Sequence, residues 1–139
     1  MILLDTSGLL AALDEDEPDH EASRNALEGE SEPLVLSPFV LAELDYLLLR
    51  ELGVEFELSL LREVAAGSYA LAAFDEDDVG AAEAVARRYA DLRIGLADAS
   101  LVVLAGRYRT NRILTLDERH FRALQTLAGD PFVVLPADG

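Results

Sequence analysis

Four acidic residues of this 139-residue chain stand where a charge is costly or conspicuous: Asp5, Glu43, Asp98 and Asp117. Asp5 and Asp117 each stop an apolar run, Ile2-Leu3-Leu4 in one case and Ile113-Leu114-Thr115-Leu116 in the other. Runs without alternation read as short strands buried on both faces. A charge at the carboxyl end of such a strand sits where open α/β sheets place their ligand sites. Glu43 falls three after Val40 and four before Leu47, which assigns it to the inward face of a helix. Asp98 shares a helical face with Leu101, Val102 and Ala105. Asp5 and Asp98 also have a plainer reading, as caps of the helices that follow or contain them.

Gathering four carboxylates without cations is strongly unfavourable. At about 4 Å and an effective dielectric near 20, each like-charge pair costs roughly 4 kcal/mol. Either some of the acids stay protonated, or a hard divalent cation balances them. All-oxygen ligation suits Mg²⁺ or Mn²⁺, whereas zinc prefers His or Cys partners. His20 and His120 read as surface or packing residues outside the cluster. A cation held by acids with open positions is suited to work on phosphates, by polarising the phosphoryl oxygen and activating a water. Thr6 or Ser7 can bind a metal water or a phosphate oxygen, and can equally cap the first helix.

The elements that must position these acids alternate. Strands are expected at Ile2–Leu4, Leu34–Leu36, Ile113–Leu116 and Phe132–Leu135, and a strand or extended segment at Tyr69–Phe74. Helices are expected at Ser7–Leu13, His20–Glu28, Phe39–Leu52, Glu55–Ala66, Asp77–Tyr89, from Leu96 onward, and briefly from Glu118. Alternation of this kind implies a parallel sheet covered on both faces. The segment from Leu96 is nearly all apolar and should be the most buried helix. Asp75-Glu76-Asp77-Asp78 places negative charge where a helix macrodipole favours it, so it needs no catalytic role.

Composition narrows the chemistry further. A chain of this length that is 51% hydrophobic is expected to form one domain, residues 1–139, with a core of its own. There is no cysteine, hence neither a disulfide nor a thiolate metal site. Every basic residue other than histidine is arginine, which excludes a P-loop lysine, a Schiff base and a receiver-domain lysine. No signal peptide or membrane span is read from the apolar runs, so a cytoplasmic location is expected. The net charge is −16, which would repel nucleic acid unless cations or a local arginine patch intervene. Residues 84–139 hold 8 of the 11 arginines: Arg87, Arg88, Arg93, Arg107, Arg109, Arg112, Arg119 and Arg122. Within that set, Arg107, Arg109 and Arg112 are read as candidate nucleic-acid contacts.

Leu3-Leu4-Asp5-Thr6-Ser7, the Glu43 helix, Leu96-Ala97-Asp98-Ala99-Ser100 and Thr115-Leu116-Asp117-Glu118-Arg119-His120-Phe121 together resemble the PIN-domain family, and within it the VapC type of toxin ribonuclease. The resemblance covers essentially the whole chain. It implies a three-layer α/β/α domain with a central parallel sheet. It further implies a Mg²⁺- or Mn²⁺-dependent endoribonuclease that leaves a 5′-phosphate and a 3′-hydroxyl. Asp5, Glu43 and Asp98 match the family's core metal-binding acids, Asp117 its more variable fourth acid, and Asp91 a possible outer member. Partners implied are the RNA substrate, a second copy in a homodimer, and a cognate VapB-like antitoxin. The apolar residues exposed on the helices around 39–66 are candidates for the antitoxin groove. Two alternatives stand beside this reading: a PIN-fold scaffold without catalysis, and a haloacid-dehalogenase-like phosphatase. The phosphatase would want a second Asp at position 7, where this chain has Ser7, and a lysine, which it lacks.

Overall fold

Residues 1–139 are all described by a computed structural model. The apolar run Ile2–Leu4 forms strand β1, fully buried. After it come helices α1 (Thr6–Leu13) and α2 (His20–Glu28), then strand β2 (Leu34–Leu36). Helices α3 (Pro38–Glu51) and α4 (Val54–Ala65) form a hairpin that leads to strand β3 (Ala70–Leu71). Helix α5 (Glu76–Arg88) and a single turn at Ala90–Leu92 precede helix α6 (Leu96–Tyr108). Strand β4 (Arg112–Leu114), the short helix α7 (Glu118–Ala123) and strand β5 (Val133–Leu135) complete the chain.

All strand pairs are parallel and the order is β3-β2-β1-β4-β5. The chain therefore builds outward from β1 through β2 to β3, then returns to the other side of β1 to lay down β4 and β5. The point of reversal lies between β1 and β4, where the crevice beyond the carboxyl ends of the strands is open for a ligand. Asp5 follows β1 and Asp117 follows β4, so both acids arrive at that crevice.

Local chemistry accounts for the elements. Ser37 accepts a hydrogen bond from the Phe39 backbone N–H (3.2 Å), and Pro38 occupies the first turn of α3. Asp75 and Asp78 form a reciprocal capping box that starts α5, the structural role expected of that acidic run. In α6 every residue from Ala99 to Ala105 is buried, as its unbroken apolar sequence requires. Gly8 brings α1 against β4: a Cβ there would lie 2.4 Å from the Leu114 carbonyl oxygen.

Three strands are shorter than expected, β5 only by the loss of Phe132. The apolar stretch Tyr69–Phe74 yields only Ala70–Leu71, because this edge strand pairs with β2 alone and the chain then turns toward the Asp75 cap. Strand β4 ends at Leu114 rather than Leu116, since Thr115 and Leu116 bend away to start α7. No helix is long and apolar enough to cross a membrane.

Candidate active site

A cleft of about 570 Å³ opens at the crevice between β1 and β4. Asp5, Glu43, Asp98 and Asp117 all line it, together with Thr6, Ser7 and His120. Four separate stretches of sequence deliver these acids, and each does so by a different device.

Asp5 is 6% exposed and occupies the cap position of α1, yet its side chain caps nothing. Its Oδ2 instead accepts hydrogen bonds from Thr115 Oγ1 at 2.6 Å and Ser7 Oγ at 3.1 Å. Both bonds fall on one oxygen, which leaves Oδ1 without a side-chain donor. Burial pushes the Asp5 carboxyl up to about 6 against the pull of the Thr115 hydrogen bond, and the nearby charge of Asp98 adds to the rise.

Glu43 is not on the buried face of α3 that the spacing suggested. Val40, Leu44 and Leu48 are the core stripe, whereas Phe39, Glu43 and Leu47 form the adjacent stripe that lines the cleft. One residue of offset turns a helical side chain by about 100°, so Glu43 is solvent-exposed at the rim. Asp98 lies in the first turn of α6, which starts at Gly95 without a side-chain cap. Its carboxylate is therefore free to face the cleft, and burial holds its pKa above the ordinary value. The His120 hydrogen bond opposes that rise, and the charges of Asp117 and Glu43 add to it.

Asp117 does cap its helix: Oδ1 accepts the His120 backbone N–H at 3.1 Å. Its other oxygen, Oδ2, is 3.0 Å from His120 Nδ1, and the same nitrogen is 3.0 Å from Asp98 Oδ2. His120 thus belongs inside the cluster, contrary to the reading of the sequence. The physical reason is the cap itself. It fixes His120 three residues beyond Asp117 on the same helical face, and the packing of α6 brings Asp98 to meet it. The Asp117–His120 spacing was visible in the sequence; the approach of Asp98 was not. His20 stays outside, its ring bonding the Ala11 carbonyl at 2.8 Å.

The two hydroxyls beside Asp5 have different fates. Ser7 Oγ accepts the Leu116 N–H at 2.9 Å and lies 3.2 Å from Thr115 Oγ1. Thr6 is 5% exposed and its Oγ1 has no hydrogen-bond partner. Thr115, to which the sequence assigned no role of its own in the site, is 1% exposed and joins it by also accepting the Asp117 N–H at 2.9 Å. Asp91 lies exposed in the turn at Ala90–Leu92 and is not among the cleft's lining residues.

The model of the PIN domain matches residues 2–126. The chain belongs to the PIN-domain family. Ribonuclease VapC26 of Mycobacterium tuberculosis (strain ATCC 25618 / H37Rv) is 48% identical to it over 135 residues, covering 97% of this chain and all of that protein. This PIN domain is accordingly a VapC-type endoribonuclease, an activity for which the family depends on metal. The fold is shared with the crystal structure of Mycobacterium tuberculosis VapC20, described as a Sarcin-Ricin loop cleaving toxin. That match has a TM-score of 0.78 and 17% identity, over 84% of this chain and 90% of that one. FitAcB from Neisseria gonorrhoeae has a TM-score of 0.57 and 23% identity, over 81% of this chain and 85% of that one.

The arginines read as RNA contacts lie away from the PIN cleft. Arg107 donates to the Ala73 carbonyl at 2.6 Å and pairs with Asp78 at 2.6 Å. Arg112 begins β4 at the amino edge of the sheet and pairs with Glu30. Arg109 ends α6, more than three turns from Asp98, and lines a separate cavity with Thr110, Asn111 and Asp130. Two other arginines of the same half have no acidic partner and flank the cleft in sequence. Arg93 precedes Gly95 by two residues, and Arg119 adjoins His120.

Proposed function

We propose that Asp5, Glu43, Asp98 and Asp117 hold Mg²⁺ or Mn²⁺, and that the protein hydrolyses RNA phosphodiesters there as the toxin of a toxin–antitoxin pair. The observation that carries this reading is the convergence of four carboxylates on one cleft, with Asp5 and Asp98 both penalised as anions by burial. A divalent cation relieves that penalty, and carboxylate oxygens are the donors that Mg²⁺ and Mn²⁺ accept. Thr6 lies on the same lining and its buried hydroxyl has no partner within the protein. When bound, such an ion polarises the phosphoryl oxygen and lowers the pKa of a water. The chain's own contribution is orientation: Thr115 and Ser7 fix Asp5 through Oδ2 and leave Oδ1 for the ligand.

RNA phosphates are offered Arg93 and Arg119 rather than the paired Arg107 and Arg112. The α3–α4 hairpin exposes Tyr46, Leu49, Val54, Phe56, Leu58 and Leu61. An apolar face of this kind marks a protein contact. It suits a VapB-like antitoxin segment, since Phe39 and Leu47 of the same hairpin reach the cleft, and it offers a surface for a homodimer. A cytoplasmic setting accords with the lack of cysteine.

Incubation of single-stranded RNA with the purified protein tests the reading. Cleavage leaving 5′-phosphate ends should need Mg²⁺ or Mn²⁺. It should fall by at least about 100-fold in Asp98→Asn, as when a group acting on developing charge is removed, with the circular dichroism spectrum retained. Cleavage that survives in Asp98→Asn or in EDTA would overturn it.

A further inference from the structure

The four acids leave His120 without an assigned task. Its Nδ1 stands equidistant, at 3.0 Å, from Oδ2 of Asp98 on α6 and Oδ2 of Asp117 before α7. Donor atoms of these three residues lie within 4.8 Å of one another. A histidine that merely orients a carboxylate needs one acceptor for that nitrogen; here two acids from different elements share it. Asp117 spends Oδ1 on its cap and turns only Oδ2 to the ring. Adjacent donors on an octahedral ion with bonds of roughly 2.1 Å stand about 3 Å apart, which is the spacing from Nδ1 to each oxygen. Thr6, on the same lining, keeps its Oγ1 buried and without a hydrogen-bond partner.

We propose that His120 Nδ1 is a direct metal ligand, completing with Asp98 and Asp117 a mixed nitrogen–oxygen site that favours Mn²⁺ over Mg²⁺. The proposal rests on the divalent-cation reading above and adds a donor to it. Imidazole nitrogen is a good ligand for first-row transition ions, whereas Mg²⁺ takes oxygen and parts with its waters reluctantly. To serve as a ligand Nδ1 would have to be free of a proton, and the neutral ring would then carry its one proton on Nε2. The local backbone prepares the pair, because the cap that His120 N–H makes to Asp117 Oδ1 fixes ring and carboxylate relative to each other before any ion arrives.

Mn²⁺ added alone to the full chain, followed by pulsed electron paramagnetic resonance, reads the ligand directly. The expected spectrum carries a nitrogen modulation from one bound imidazole, absent in His120→Gln with Mn²⁺ still bound. Calorimetry should show Mn²⁺ affinity falling roughly 10-fold or more in that variant, with Mg²⁺ affinity changed less than about threefold. Mn²⁺ binding without nitrogen modulation in the unaltered protein overturns the proposal and leaves the four-acid site standing. An equal loss of Mg²⁺ and Mn²⁺ affinity in His120→Gln also overturns it, since it marks an orienting role. Failure of the unaltered chain to bind either ion overturns the four-acid site as well. Should His120→Gln not fold, the spectrum of the unaltered protein still decides.

Discussion

Thr115 Oγ1 donates to Asp5 Oδ2 at 2.6 Å and accepts from the Asp117 backbone N–H at 2.9 Å. One buried hydroxyl thus joins the carboxylate that closes β1 to the backbone that carries the acid after β4. The two sides of the topological reversal are held in register by it, and the separation of Asp5 from Asp117 depends on it.

Thr115→Val keeps the shape and removes both bonds. It leaves a buried carboxylate short of a donor and a partly buried N–H short of an acceptor, at an expected cost of about 1–3 kcal/mol. Thr115→Ser should recover most of that. Urea unfolding of the metal-free protein at neutral pH measures the difference, and a Val variant as stable as the Thr parent would contradict the role.

Burial of Asp5 makes stability depend on pH in a stated direction. The folded state holds the Asp5 proton up to about pH 6, against 3.8 for the free side chain. Folded protein therefore binds more protons than unfolded between those values, and stability falls as pH rises through that window. Above it the penalty is constant, about 3 kcal/mol at most. Asp5→Asn should accordingly be more stable than its parent in EDTA at pH 7.5, with the gain vanishing near pH 4. Denaturation midpoints across that range, with and without Mn²⁺, check the sign. Cation binding should reverse the order of the two proteins.

The arginines divide by their partners. Removing a guanidinium that contacts single-stranded RNA should flatten the slope of log affinity against log salt by about 0.7. That loss is expected for Arg93→Ala and Arg119→Ala, measured in EDTA so that the RNA stays whole. Arg107→Ala and Arg112→Ala should leave the slope unchanged, because those side chains are engaged by Asp78 and Glu30.

At Gly8 the backbone of α1 lies directly against β4 near the site. A methyl group there meets the Leu114 carbonyl at 2.4 Å, and backbone on both sides cannot yield without moving α1 from β4. Gly8→Ala should cost about 1–3 kcal/mol in urea unfolding. Its loss of RNA cleavage should exceed what the unfolded fraction explains, since Ser7 and Asp5 move with the helix.

The sequence by itself determined the element order and the parallel α/β class, and it singled out the four acids that line the cleft. Those features rest on local signals: unbroken apolar runs for buried strands, capping residues at Ser37 and Asp75, and charges placed at strand ends. Tertiary structure decided the rest. Whether the Asp5 side chain caps α1 or is held in the cleft wall turned on Thr115, 110 residues away. Glu43 proved to lie on the cleft stripe and not the core stripe, a distinction of one residue that periodicity alone cannot resolve when both stripes are apolar. The common direction of the parallel strands placed Arg112 at the amino end of β4, away from the cleft, and the seating of α6 beside β1 brought Asp98 to His120. Spacing along a chain reports which residues share a face; which faces meet is set by long-range packing, and the chemistry of this site lies in those meetings.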